Sequence, residues 1–188
     1  ADISEIKQYM FSRCTALKEV SIPASVEFIR TWAFGDCAPM KSITLPEGLK
    51  GIDAEAFNGC SSLNEITLPE GLEQLGAHAF DRCKALKSIT CLRNEPLVQG
   101  ETMGVSVFDG VDKNLCELKV PRGHKDQYAA AEQWKEFTNI SEHDLTGISL
   151  PTNQDPAMKT AIFTLNGQRL PANAQPAQGL YIINGKKV

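Results

Sequence analysis

The chain has 188 residues, enough for one or two domains, and its 42% hydrophobic and 22% charged side chains are an ordinary globular balance. Its net charge of −4 is uneven: four of the 19 basic and one of the 23 acidic residues lie in 145–188, leaving 15 and 22 in 1–144, so the body carries −7 and the tail +3. An acidic body lacks the clustered Lys and Arg that nucleic acid or an anionic membrane surface requires, no apolar run is long enough to span a bilayer, and no basic start followed by an apolar stretch marks a signal peptide.

From the first residues onward the sequence repeats. Phe11, Phe34, Phe57 and Phe80 are spaced by 23 residues, as are Cys14, Cys37, Cys60 and Cys83, and also Pro23, Pro46 and Pro69. Leu17, Met40, Leu63 and Leu86 keep the step, and so do Val20, Ile43, Ile66 and Ile89. A fixed period of this length signals stacked supersecondary units, none of which buries its apolar face alone. Within each unit the I-x-L stretch alternates, which predicts a short strand with one buried face. The following proline ends it, having no N–H for a further ladder bond. The A-F-x-x-C-x-x-L stretch has spacings of three and four and predicts a short helical turn on the opposite side. Strands of successive coils then form a parallel sheet, neighbours about 4.8 Å apart. Ile3 and Ile6 occupy the positions of Leu72 and Leu75, so Ala1 falls midway through a coil; the expectation is a fragment of a longer protein with its export signal upstream.

These columns closely resemble the leucine-rich repeats of the BspA-like, or TpLRR, bacterial surface proteins over roughly residues 1–140. The resemblance implies a leucine-rich-repeat solenoid of the α/β type, coiled right-handed, on an exported protein at the bacterial cell surface or outside it, associated with the outer membrane. It also implies adhesion or recognition. One departure is the column that usually holds glycine in the family, which here reads Lys7, Arg30, Asp53 and Gly76. A positive φ would be comfortable only at Gly76 and tolerable at Asp53.

The step breaks once: Phe80 to Phe108 is 28 residues, and Leu92 stands where proline is expected. The segment LRNEPLVQGETMGVSV (92–107) therefore reads as a loop inserted into the fourth coil, either variable or carrying function. After it, LCELKVP (115–121) supplies a last strand and RGHKDQYAAAEQWKEF reads as a helix, with Tyr128, Ala131, Trp134 and Phe137 on one apolar face. That helix would be a cap, at about 122–140, closing a solenoid domain of residues 1–144. Residues 145–188 abandon the period. Two apolar runs, KTAIFTLNGQRL and QGLYIINGKKV, each end at an Asn-Gly turn signal and predict a small β module. This module is similar to the C-terminal sorting domain of type IX secretion cargo at Asn166, Gly167, Gln168, Arg169, Gly179, Leu180, Tyr181 and Ile182. The similarity implies an export signal, and a module that merely packs against the solenoid is the alternative.

Six cysteines raise the question of disulfides or metal. Four form one column on the inside wall, no C-x-x-C pair exists, and His78, His124 and His143 are not spaced as ligands. Buried, unreactive thiols are the reading, with bridged or metal-bound cysteines the alternative; Cys91 takes the place of Leu45 and Leu68 as a small core side chain. No nucleophile elbow, phosphate loop, zincin helix or dinucleotide fingerprint is present, so neither enzyme activity nor a cofactor is expected. Asn139-Ile140-Ser141 matches a glycosylation sequon only formally.

A partner has two surfaces to meet. The outward strand positions Glu19 and Ser21, Ser42 and Thr44, Glu65 and Thr67, Ser88 and Thr90, then Glu117 and Lys119, form a polar, Ser/Thr-rich ladder without aromatic anchors. The column Tyr9, Trp32, Glu55, His78 instead places Tyr9 beside Trp32, as an exposed anchor or as a surface covered by an upstream coil. The expected role is non-catalytic recognition or adhesion with an extracellular protein, host or bacterial; a glycan ligand or a structural spacer without a ligand are the alternatives.

Overall fold

A computed structural model describes residues 3–143 and, beyond them, four two-residue strands in the tail. The repeats form a solenoid with two stacks of parallel strands. One stack is built from the I-x-L stretches: β2 (Glu19–Ser21), β4 (Ser42–Thr44), β6 (Glu65–Leu68), β8 (Ser88–Cys91), β9 (Glu117–Pro121) and β10 (Asn139–His143). Its inward side chains are in register, Val20 beside Ile43, Ile66 beside Ile89, then Leu118 and Ile140. Between β4 and β6 the ladder is interrupted, and the coils stay joined there by Ser62 N–H to the Ala38 carbonyl and Asn64 N–H to the Lys41 carbonyl.

The second stack follows the proline corner: β1 (Glu5–Ile6), β3 (Phe28–Ile29), β5 (Gly51–Ile52) and β7 (Gln74–Leu75) pair in parallel with no slip of register. Ile6, Ile29, Ile52 and Leu75 point into the core and are buried. This second sheet is not foreseen by the strand-plus-helical-turn reading of a coil. Two residues per strand are too few to display an alternating pattern in the sequence.

The Phe–Cys arc is also not a helical turn. Its amides alternate: those of Met10, Ser12 and Cys14 bond three residues back in their own coil, while those of Tyr9, Phe11 and Arg13 bond Thr31, Ala33 and Gly35 of the next coil. Such alternation needs left-handed residues, and they stand two positions either side of the phenylalanine. Tyr9, Trp32, Glu55, His78 and Ser106 have φ of 58°, 56°, 58°, 56° and 54°, and Arg13, Asp36 and Arg82 have 59°, 57° and 60°. The positive φ therefore falls two residues after the Lys7–Arg30–Asp53–Gly76 column and not in it. Gly76 serves close approach instead, because a Cβ there would run into the Ala54 backbone of the preceding coil. A left-handed non-glycine residue costs about 1–2 kcal/mol. Tyr9, Arg13, Trp32, Asp36, Glu55, His78 and Arg82 are each held by a coil-to-coil bond, as in Glu55 N–H to the Ala77 carbonyl at 2.9 Å.

One hydrophobic core runs the length of the stack. Phe11, Phe34, Phe57, Phe80 and Phe108 are stacked with centroids 5.1, 5.4, 5.2 and 6.0 Å apart and ring planes within 8° of parallel. Beside them Cys37, Cys60 and Cys83 donate their thiols to the carbonyls of Phe11, Phe34 and Phe57 at 3.0, 3.2 and 3.3 Å. Burial pushes the Cys37, Cys83 and Cys91 thiols up to about 12 and raises Cys60 well above the ordinary value. All six cysteines are buried.

The inserted segment rejoins the core rather than hanging free. Leu97 and Met103 are buried, and Met103 bridges to Leu75, so it takes the fifth place in the Ile6–Ile29–Ile52–Leu75 column. The cap differs from a single helix: α1 (Lys125–Ala130) ends at extended Ala131, and a short 3-10 turn follows at Trp134–Glu136. Gln133, at φ 66° between them, explains the break. Its side chain accepts from Val107 N–H at 2.8 Å and donates to the Gly104 carbonyl at 2.6 Å, replacing the backbone partners a further coil would supply. Trp134 and Tyr128 likewise donate to the Leu97 and Arg93 carbonyls at 3.0 and 2.9 Å. The rings of Trp134 and Phe137 meet Phe108 edge-on at 5.1 and 5.3 Å, which ends the phenylalanine stack. β9 is not the last strand of its sheet, because β10 adds to it after the cap.

In the tail, β11 (Ile162–Phe163) pairs antiparallel with β12 (Arg169–Leu170) and β13 (Ile182–Ile183), and β13 with β14 (Lys186–Lys187). The sorting-domain resemblance rests mainly on Asn166, Gly167, Gln168, Gly179, Leu180 and Tyr181, which lie outside the described residues.

Candidate recognition surface

Because alternate residues of β3 and its continuation face outward, one coil presents Phe28, Arg30 and Trp32 in a row beside the second sheet. Each ring is seated on a glycine. A Cβ added at Gly51, in register with Phe28, would sit 2.8 Å from the Phe28 ring, and one added at Gly35 would run into the Trp32 indole. Between the rings, the Arg30 guanidinium carbon lies 4.5 Å from the Phe28 centroid, with Nε 2.5 Å from Glu5 Oε2 and Nη1 3.6 Å from Asp53 Oδ2. Hydrogen bonds from Lys7 and then Arg30 hold the Glu5 carboxyl below its ordinary value.

The backbone places Tyr9 next to Trp32's coil, its N–H on the Thr31 carbonyl at 3.2 Å, and the Tyr9 side chain is 56% exposed. The two rings are not among the stacked or edge-on pairs of the described residues, because Trp32 folds over Gly35 of its own coil. Phe28 and Arg30 are surface residues that the column reading passed over. The signal was available: Glu5, Gly51 and Gln74 share the Phe28 column, so a large ring there is not needed by the core.

The polar ladder lies where the strand pattern puts it, on the outer face and partly exposed. Glu19 pairs with Ser42 and Ser21 with Thr44 in one piece, and Glu65 with Ser88 and Thr67 with Thr90 in the other. At its far end Ser141 donates to Glu117 Oε1 at 2.7 Å and lies 3.0 Å from His143 Nε2, while Lys119 is 3.6 Å from Glu117 Oε2. The Ser141 hydrogen bond lowers the Glu117 pKa.

Downstream of Arg30 the second-sheet face drops into an open groove of about 390 Å³. The column that carries Lys7, Arg30 and Asp53 continues as Gly76 and Gly104, and both glycines line the groove. Thr31, Asp53 and Gln74 line it from the coils, and the inserted segment raises a wall of Glu101 and Thr102. That wall is anchored by Leu75, whose N–H reaches the Thr102 carbonyl at 2.9 Å and whose carbonyl takes Gly104 N–H at 2.7 Å. No helix among the described residues is long and apolar enough to cross a membrane, and no group of three or more His, Cys, Asp or Glu there is placed to hold a metal ion.

Together the 23-residue coils, the parallel strands and the phenylalanine stack define a leucine-rich-repeat solenoid. The chain belongs to the BspA-type leucine-rich-repeat family, whose repeat region, in 6 copies, matches residues 1–125. Among solved structures it is similar to the leucine-rich-repeat protein TpLRR of T. pallidum, with 26% identity and a TM-score of 0.57 over 74% of this chain. It is also similar to the pneumococcal vaccine antigen PcpA, with 23% identity and a TM-score of 0.54 over 74% of this chain. A leucine-rich-repeat protein from Bacteroides ovatus has 29% identity and a TM-score of 0.42 over 64% of this chain. The matches span 63%, 37% and 38% of those proteins. No curated protein sequence matches the chain.

Proposed function

We propose that the chain is a non-catalytic recognition module of an exported bacterial surface protein, binding an extracellular protein through Tyr9, Phe28, Arg30 and Trp32. The observation that carries this reading is the row of rings on the second sheet. At these columns other coils place Gln74, Glu55, His78 or Ser106, so the solenoid does not require aromatics there. Aromatic and arginine side chains dominate binding energy at protein interfaces. The polar ladder residues Glu19, Ser21, Ser42, Thr44, Glu65, Thr67, Ser88 and Thr90 flank the module as a solvated face. Export and surface display rest on membership of the BspA-type family and on the sorting-domain resemblance of the tail.

The repeat itself supplies substitutions its backbone accepts. Trp32→Ser copies Ser106 at the same left-handed position, and Phe28→Gln copies Gln74. In a pull-down from host extracellular matrix, the double variant should capture at least 30-fold less of the bound protein, corresponding to about 2 kcal/mol, with its melting temperature little changed. Capture unchanged by this pair, but lost in Thr67→Ala/Thr90→Ala, would move the interface to the ladder. A glycan ligand is the second reading, favoured by the Gln74 amide and the Thr31 and Thr102 hydroxyls that line the groove.

A further inference from the structure

Two polar side chains are buried among the described residues: Gln133 in the cap, and Asn58, which is 4% exposed. Asn58 stands one place after its phenylalanine, where other coils carry Ser12, Gly35, Asp81 and Asp109, and Gly59 follows it. An Asn-Gly pair loses its side-chain amide readily, because glycine has no side chain to hinder its nitrogen. That nitrogen attacks the asparagine Cγ, the bond from Cγ to Nδ2 breaks, and the glycine N–H proton departs with Nδ2 as ammonia. Water then opens the resulting succinimide at either carbonyl, leaving aspartate or isoaspartate.

In this fold every group the reaction needs is engaged. Gly59 N–H donates to the Asp81 carbonyl at 2.8 Å, and the Asn58 carbonyl accepts Asp36 N–H at 2.7 Å, so neighbouring coils hold the backbone from both sides. Asn58 Nδ2 donates to Glu55 Oε2 at 3.2 Å and to Asp81 Oδ2 at 3.4 Å. Its Oδ1 accepts from Arg82 Nε at 2.9 Å and Nη2 at 2.6 Å, bonds strengthened by the guanidinium charge. Turning Cγ onto the Gly59 nitrogen would break these side-chain bonds together.

The glycine has its own reason. Arg13, Asp36 and Arg82 hold the same left-handed column with side chains, at φ of 59°, 57° and 60°, so the φ of 76° at Gly59 does not by itself call for glycine. A Cβ there would run into Asp36 Oδ1 and lie 3.4 Å from Arg82 Nη2. Bare backbone lets Arg82 cross this coil to Asp36 Oδ1 at 3.2 Å, two coils away. The guanidinium that guards Asn58 therefore requires the glycine that makes Asn58 labile.

We propose that Asn58–Gly59 is a latent modification site, locked in the folded chain by Arg82 and released when this coil opens. Conversion runs one way. Aspartate at 58 puts a third carboxylate beside Glu55 and Asp81. Isoaspartate adds a carbon to the main chain between the bonds to Asp36 and Asp81, so the coil no longer closes in register. An opened solenoid thus acquires a permanent mark, whatever partner it binds.

The full chain is held at pH 8 and 37 °C, folded or in denaturant. Modification at residue 58 is read by peptide mapping with mass spectrometry that separates aspartate from isoaspartate. Because the reaction passes through the open form, the folded chain should convert about 100-fold more slowly than the denatured one, or slower still. Asn166-Gly167 and Asn184-Gly185 calibrate the chemistry in denaturant. Arg82→Met should raise the folded rate about 10-fold by removing two charged hydrogen bonds. Arg13→Met, in the same column and paired with Asp36 at 3.8 Å, should leave it unchanged. Folded conversion at the denatured rate, an Arg82→Met rate equal to or below the parent's, or an equal rise in Arg13→Met would overturn the proposal. Should Arg82→Met not fold, Asp36→Asn frees the far end of the guanidinium and should still raise the rate about 3-fold; no rise there would overturn it equally. A chain converted to isoaspartate in denaturant should melt below the parent once refolded, and an unchanged melting temperature would remove the one-way mark.

Discussion

Replacing Phe57 by alanine removes a ring from the middle of the stack. Phe57 is fully buried and lies 5.4 Å from Phe34 and 5.2 Å from Phe80, with both pairs within 2° of parallel. The lost transfer energy of the ring and the cavity left behind together cost about 3–5 kcal/mol. Relaxation is limited here, because the coils above and below are pinned by Phe34 N–H to the Ala56 carbonyl and Phe57 N–H to the Ala79 carbonyl. At about 2–4 °C per kcal/mol for a chain of this size, the melting temperature should fall by about 6–20 °C. Phe11, stacked on Phe34 alone and slightly exposed, is the internal control, and Phe11→Ala should cost clearly less. Thermal unfolding followed by circular dichroism and by calorimetry reads both. A Phe57→Ala melting temperature within about 2 °C of the parent, or equal losses at the two sites, would refute the continuous stack.

Two further outcomes follow from the side chains around the core. With Cys37, Cys83 and Cys91 pushed up to about 12, roughly one thiol in ten thousand is thiolate at pH 8, against about a quarter for a free cysteine. A thiol reagent should therefore label them only after denaturant is added, and rapid native labelling would place them outside the core. Glu117 has a lowered folded-state pKa, so its contribution is full above the unfolded value and is lost as pH falls through the folded one, below the ordinary 4.5. Hydrogen exchange near pH 3.5 should show β10 losing protection before β8, by under about 1 kcal/mol at this exposure; simultaneous loss in Glu117→Gln and the parent would remove Glu117 from the account.

The inward columns could be read from sequence because every coil repeats the same constraint. Phe, Cys, Leu and Ile recur at 23 residues since each must meet its counterpart one coil away. The arc between Phe and Cys was misread for a definite reason: apolar spacings of three and four belong both to a helix and to a run of turns with left-handed residues. Tyr9 and Trp32 at φ of 58° and 56° give no warning, as such bulky residues ordinarily avoid that region. The cap broke where Gln133 turns to serve Val107 and Gly104, partners 26 and 29 residues away that a local apolar period does not register.

For the surface, the same repetition works in the opposite sense. An outward position gains nothing from its column neighbours, so a residue that departs from them has a reason other than stacking. Trp32 departs from Glu55 and His78, and Phe28 from Glu5 and Gln74. Both departures fall on one coil, and both rings rest on glycines, Gly35 and Gly51. Glycine weakens a strand or turn by forgoing side-chain packing and by adding freedom to the unfolded chain. Keeping it beneath a partly exposed ring is a stability loss that the core does not recover. The groove follows the same logic in reverse, with side chains absent at Gly76 and Gly104 where upstream coils carry Lys7 and Arg30. Large rings on one coil and bare backbone two coils on give a relief that a stack of identical repeats would lack, and a relief of that kind is what a specific partner can be shaped to fit.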